Sequence, residues 1–327
     1  MTVAIDPSKP IDLKLITAGG NWVRIGEIIS LGLTGYYNRL PEGSTSAVHS
    51  MHPGVAQMKS PMLVGSGEFH LGITTPAWYA ASAAAGKTHT PYDTTGELRA
   101  LCNFPHDDRF FMLVRADTGI TSIQEMIDEK YPIKVASSPR GDKHCGGWAL
   151  KHVLEAYGTT VEDIESWGGK VWSRDATAGG PSLFDRLPYL QRGEIQGVFD
   201  EAIFQCEELC REVDCRILPV PEPVIQELEG KLGAKRQVIR KGQFRGVTED
   251  IPTISMEGWL LFCRADFPDE WAYRVMETID TDLGTLKSLF RPDAEIQHAD
   301  MHEMWKDTEL PLHPGAAAYF KEKGYMP

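Results

Sequence analysis

The stretch LKLITAGGN, Leu13 to Asn21, reads as a β-strand from Leu13 to Thr17 that runs into a glycine turn, and Trp22 to Leu33 then carries helical spacing. A strand, a tight turn and a helix in that order form the building block of an α/β fold with largely parallel sheets. The block returns later: Ile133 to Ser137 is a strand that opens into SPRGDKHCGG, followed by a helix from about Trp148 to Tyr157. GSGEFHLGITTPA (65–77) has a counterpart of pattern, not of sequence, in QRGEIQGVFDEAI (191–203). In each, a helical stretch stops at a Gly-Glu pair, a strand follows, and polar residues sit at its carboxyl end. Phe69 to Thr74, Leu98 to Asn103 and Phe110 to Arg115 complete the strands of the first half, and Pro76 suits the first turn of a helix.

A chain of 327 residues exceeds the size at which one core keeps growing, so two lobes are expected. The expected boundaries are 1–116 for the first part of lobe 1, 117–218 for lobe 2, and 219–327 for a return segment and the rest of lobe 1. The formal charge is −13 and no run of basic residues stands out, which excludes nucleic acid and anionic membrane surfaces as natural partners. No apolar run approaches membrane-spanning length, so no direct membrane insertion is expected. MTVAIDPSKPI at the start has neither the basic residues nor the apolar stretch of a secretory signal. As written the chain is expected in the cytoplasm, and in the periplasm if a signal sequence was removed. The six cysteines form no zinc-like or disulfide spacing and read as buried thiols, with Cys206 and Cys210 on one helix face.

In open parallel sheets ligands bind at the carboxyl ends of strands, where loops and helix amino termini converge. That rule gathers Gly19 to Trp22, Thr74 to Trp78, Ser137 to Trp148, Arg174 to Pro181 and Asp200 to Ile203, expected to face one another across a cleft between the lobes. In AVHSMHPGVAQ (47–57), His49 and His52 join this set if the segment before Met58 enters a helix.

Five strings resemble, in order, the solute receptors of the TRAP-associated extracytoplasmic immunogenic (TAXI) group. They are GGNWVRIG (19–26), GSGEFHLGI (65–73), LVRADTGITSIQEM (113–126), IPTISMEGWLLFCRADFPDE (251–270) and LHPGAAAYFKEKG (312–324). The resemblance covers about Leu13 to Gly324. It implies the two-lobed type II periplasmic-binding-protein fold, a monomer, and a receptor that closes over a small organic anion and presents it to a TRAP-type membrane permease. It also implies ligand contacts at Gly20, Asn21 and Trp22, in the stretch near His52 to Val55, and at Ser137, Ser138 and Arg140. The sequence departs from the family where Trp22 and Val23 replace a tyrosine pair and a His-bearing stretch replaces a small Gly-Gly-Ser type loop.

Chemistry can be assigned to several of these positions. Arg140, in a turn-rich loop before a helix, is the best single anion contact, with Arg174 second; the alternative is a surface arginine. Arg24 on the first helix reads as a solvated charge. Trp22, Trp78, Trp148 and Trp172 fall in or beside the strand-end loops, where they either stack on a planar ligand or pack the lobe's rim. Thr74 sits at a strand end. Cys145 follows His144 near a helix start, where positive potential lowers a thiol pKa. Asp200 and Glu201 serve as acid-base groups or as acceptors for a ligand hydroxyl or amine. The leading expectation is therefore a solute-binding protein for a carboxylate, possessing no cofactor or metal. The alternative is an enzyme on the same scaffold, a lyase or hydrolase using His49, His52, Cys145, Asp200 and Glu201. Metal binding by His49, His52, Asp200 and Glu201 is a minority reading.

Overall fold

The computed structural model describes residues 5–51, 53–173, 181 and 185–327, and of 53–56 only the backbone. The chain divides into two compact units, Met1–Asp107 with Glu257–Pro327, and Asp108–Met256.

In the first unit, β1 (Asp12–Ala18) sends Leu13 and Leu15 to one face of its sheet and Ile16 to the other, as the two-residue strand period requires. Gly20 then turns the chain with φ 84° and ψ −132°, a backbone region that only glycine enters freely. α1 (Asn21–Ser30) follows, and Ile25, Ile28 and Ile29 form its buried stripe beside Leu13 and Leu15. Each such aliphatic side chain stabilises the unit by roughly 1.5–3 kcal/mol. The helix continues as a π-helical turn, Leu31–Tyr36. β2 (Thr45–Met51) pairs parallel to β1 from Asp12↔Thr45 to Ala18↔Met51. α2 (Pro53–Gly65), β3 (Leu71–Thr74), α3 (Ala77–Ala84) and β4 (Leu98–Phe104) complete this portion.

The second unit holds β5 (Phe111–Arg115), α4 (Ile123–Asp128), β6 (Lys134–Ser137), α5 (Cys145–Ala156), α6 (Val161–Ser166), β7 (Lys170–Ser173), α7 (Arg186–Gln191) and β8 (Gly197–Asp200). It ends with α8 (Ile203–Glu212), β9 (Cys215–Leu218), α9 (Glu222–Leu232) and the antiparallel hairpin β10 (Arg236–Ile239) and β11 (Ile251–Ile254). The chain then re-enters the first unit with β12 (Trp259–Arg264), α10 (Asp269–Ser288) and α11 (Pro314–Glu322).

The two main sheets share one plan. Their orders are β2-β1-β3-β12-β4 and β7-β6-β8-β5-β9. In each, the fourth strand runs antiparallel to both neighbours while the others run together. The repetition legible in the sequence is thus a repetition of topology: β1 corresponds to β6, and β3 to β8. Both sheets are flanked by helices, giving the expected α/β fold. β5 is buried along almost its whole length, from Phe111 to Val114, as a strand covered on both faces must be.

The unit boundaries differ from those expected. β5 pairs with β8 and β9, so the second unit begins at Asp108 and not after residue 116. Residues 219–256 stay with that unit because Phe110 donates to the Ile254 carbonyl (3.1 Å) and Lys231 on α9 reaches Glu155 on α5 (3.1 Å).

Candidate functional site

The carboxyl ends of β6 and β8 hold a buried polar cluster within the second unit. Asp200, the last residue of β8, is its hub. Its Oδ1 accepts from the Ser138 hydroxyl (2.7 Å) and from the Glu201 amide (2.8 Å). Its Oδ2 lies 2.5 Å from Arg186 Nη2, and both side chains are fully buried. Arg186, at the start of α7, also donates through Nη1 to Gln205 Oε1 (2.5 Å). Burial pushes the Asp200 carboxyl up, but Arg186, His144, the Ser138 hydroxyl and the Glu201 amide together hold it below the ordinary aspartate value. Asp200 is therefore an ionised acceptor with a structural partner, and not an acid-base group with a proton to exchange.

His144 caps α5: its Nδ1 accepts from the Gly146 amide (3.1 Å). A ring nitrogen that accepts from an amide carries no proton, so the proton resides on Nε2, which is 3.9 Å from Glu201 Oε1. The Cys145 thiol lies 3.8 Å from the same carboxylate oxygen. His144, Cys145 and Glu201 form the one trio with metal-ligand potential among the described residues. Its chemistry suits a cation poorly, because a metal-binding imidazole donates from its other nitrogen, whereas here that nitrogen accepts. Of the sequence-based metal set, His49 belongs to the first unit and Asp200 and Glu201 to the second, and His52 lies outside the described residues.

Cys145 corrects another expectation. The thiol is fully buried, and burial, followed by the charges of Glu201, Asp200 and Asp108, raises its pKa well above the ordinary value; the Gly146 amide opposes this only weakly. The position at a helix start does not lower this thiol's pKa, which counts against the nucleophile of the enzyme reading.

The adjacent serines diverge. Ser138 faces Asp200, whereas Ser137 and Arg140 line a separate cleft of about 260 Å³ with Gly147, Leu150 and Val161. Arg140 is already engaged, donating to Glu165 Oε1 (2.6 Å) and to the Val171 carbonyl (2.5 Å). Both bonds are made by Nη2 and tie α6 to β7, while the buried Nε makes no hydrogen bond among the described residues. Arg174 and His52 lie outside the described residues.

In the first unit, Gly20 and Asn21 are exposed at the start of α1, and the helix has no side-chain cap there. Its first amides face the carboxyl end of the sheet, a position suited to an anion. Trp22 packs edge-on against Trp259 (6.0 Å, 89°), and His106 lies over Trp259 at 4.4 Å. Thr74, buried at the end of β3, donates to the Gln57 carbonyl (2.8 Å). His49 is not in a loop: it sits within β2 opposite Ile16, and its ring meets the edge of Phe69 at 5.1 Å. Strand pairing runs to Met51 and fixes this histidine on the sheet's edge strand, while the segment before Met58 enters a helix as expected, α2 from Pro53. No helix among the described residues is long and apolar enough to cross a membrane.

Residues 18–324 match the NMT1-like family. The chain belongs to the NMT1-like family. Solved structures similar to this NMT1-like chain include a malate-bound MatC of Rhodopseudomonas palustris, at 10% identity over 84% of each chain and a TM-score of 0.45. A TctC solute binding protein of Polaromonas is similar at 16% identity over 83% of each chain, with a TM-score of 0.43. The aliphatic sulphonate binding protein SsuA of Escherichia coli is similar at 14% identity over 98% of this chain and 84% of its own, with a TM-score of 0.42.

Three other features of the NMT1-like chain redirect the sequence reading. Trp78 and Trp148 are core residues at 3% and 1% exposure, which leaves Trp22 and Trp172, both half-buried, as the strand-end tryptophans able to meet a ligand. Arg24 is not a solvated charge: it donates to the Leu289 carbonyl (2.5 Å) and lies over the Phe290 ring. Arg186, Gln205 and Asp108, whose Oδ1 accepts from the Ile203 amide (2.9 Å), were missing from the sequence-derived set. They sit outside any strand-end motif, and a buried arginine at a helix start has no sequence signal beyond its own presence.

Proposed function

We propose that this NMT1-like protein is a solute-binding protein for a small organic anion, a carboxylate with an apolar part, which it delivers to a TRAP-type membrane permease. In this role it acts outside the cytoplasm. The observation that carries the reading is the shared strand plan, which in each unit ends parallel strands at loops rich in polar groups. In the first unit the uncapped start of α1 at Gly20, Asn21 and Trp22 supports a carboxylate contact, with Trp22 beside it for the apolar part. In the second, Ser138, His144 and Glu201 are the polar contacts, held in place by Asp200.

The test is a thermal-shift and calorimetric screen of glutarate, 2-hydroxyglutarate, 2-oxoglutarate, malate and phenylacetate, with each acid recovered and identified afterwards. Binding of at least one, with recovery of the same compound, is the expected result. Absence of binding across the set, or recovery of a converted product, overturns the reading.

A further inference from the structure

We infer that Arg186 is a positioning residue: through Asp200 it turns the Ser138 hydroxyl hydrogen inward, so that the ligand group meeting Ser138 must be a hydrogen-bond donor, a hydroxyl or an amine. The inference rests on the binding role proposed above and gives it a polarity. Three observations lead to it.

Arg186 and Asp200 are both fully buried and 2.5 Å apart, so the carboxylate is matched by a cation inside the unit and has no need of a proton. An ionised carboxylate only accepts, so at 2.7 Å the Ser138 hydroxyl is the donor of that bond. A serine has a single hydroxyl hydrogen, and once it is committed to Asp200, the oxygen can only accept from anything else. Gly146 locks the arrangement: a β-carbon there would come within 2.5 Å of Asp200 Oδ1 and 3.2 Å of Ser138 Cβ, so nothing larger than glycine fits without displacing the pair. The other ionisable groups around Asp200 are His144 and Cys145 at the start of α5 and Glu201 beside it. Of these, His144 favours the charged carboxylate and the thiol is held protonated.

Two measurements test the inference. The first follows the Asp200 carboxyl carbon by NMR through an acid titration of the whole protein, with Asp200→Asn to assign the signal. Arg186→Gln is expected to raise the titration midpoint by about one pH unit or more, while Arg186→Lys keeps it near the native value. An unchanged midpoint in Arg186→Gln overturns the link between Arg186 and Asp200. The second compares 2-hydroxyglutarate with 2-oxoglutarate by calorimetry. The native protein is expected to prefer the hydroxy acid about tenfold. Ser138→Ala and Arg186→Gln are expected to abolish that preference and Arg186→Lys to restore it, which a merely structural arginine would not do. A native preference for the oxo acid, or a hydroxy preference that survives Ser138→Ala, overturns the assignment. Should Arg186→Gln fail to fold, Ser138→Ala and Arg186→Lys still decide the second measurement. If neither acid nor any other carboxylate binds the native protein, the binding role falls and takes the ligand polarity with it, while the Asp200 titration still judges the role of Arg186.

Discussion

Arg186 and Asp200 form an ion pair sealed within the second unit, the arginine at the start of α7 and the aspartate at the end of β8. Removing one member of such a pair strands a charge in a poorly polarisable interior, and this typically costs about 3–5 kcal/mol. Asp200→Leu alone is expected to lower the urea midpoint sharply. The double variant Arg186→Leu with Asp200→Leu is expected to recover part of that loss, because no buried charge remains. Chemical denaturation of the three proteins measures the difference.

Histidines set the response to acid. Burial is the main cause holding His152 down to about 4, and it also lowers His70 and His313, whose Nδ1 atoms accept from the Lys14 and Gly315 amides. A histidine whose folded pKa lies below its unfolded value binds its proton more readily when unfolded. Its stabilising contribution is complete above the unfolded pKa of about 6.5 and is lost as pH falls toward the folded value. For His152 the window runs from about 6.5 to about 4, with a contribution on the order of 3 kcal/mol. His152→Phe is expected to flatten the stability profile across that window, as measured by urea midpoints from pH 7.5 to 4.5.

Two glycines should respond in opposite directions to alanine. At Gly147 a β-carbon would fall 1.9 Å from the Pro139 carbonyl oxygen, a backbone atom that cannot step aside. Gly147→Ala is expected to displace the 139–147 loop and to destabilise by about 1–3 kcal/mol or more. Gly284, exposed on α10, has open space around it, and Gly284→Ala is expected to stabilise by about 1 kcal/mol through helix propensity. Thermal melts of the two variants distinguish these outcomes.

Thiol chemistry offers a direct check on the corrected role of Cys145. All six cysteines are buried thiols. Ellman's reagent is expected to react slowly with the native protein and to titrate all six thiols in guanidinium. A single fast-reacting thiol that vanishes in Cys145→Ala would revive the nucleophile.

Much of the architecture could be read from the residues because strands such as LKLIT and FFMLV are apolar and end at turn-forming residues. β2 escaped because TSAVHSM is half-exposed, with serines and a histidine where an internal strand would be aliphatic. The loops containing Ser138, His144 and Glu201 were located correctly, since strand ends are visible in the pattern. The partners of individual side chains were not: Arg140 was expected to greet an anion, and it binds Glu165, which is 25 positions away in sequence. Charge compensation of that kind is a property of tertiary neighbours, and neither residue's immediate context contains it.

The placement of β12 has a bearing on biosynthesis. It inserts between β3 and β4, although it emerges from the ribosome only after the whole of Asp108–Met256. The nascent polypeptide therefore holds β3 and β4 without the strand that joins them while the continuous segment behind them can already assemble its own sheet. The portion translated later thus has all its strands before the amino-terminal portion does, and the latter can close only once the carboxyl-terminal residues arrive.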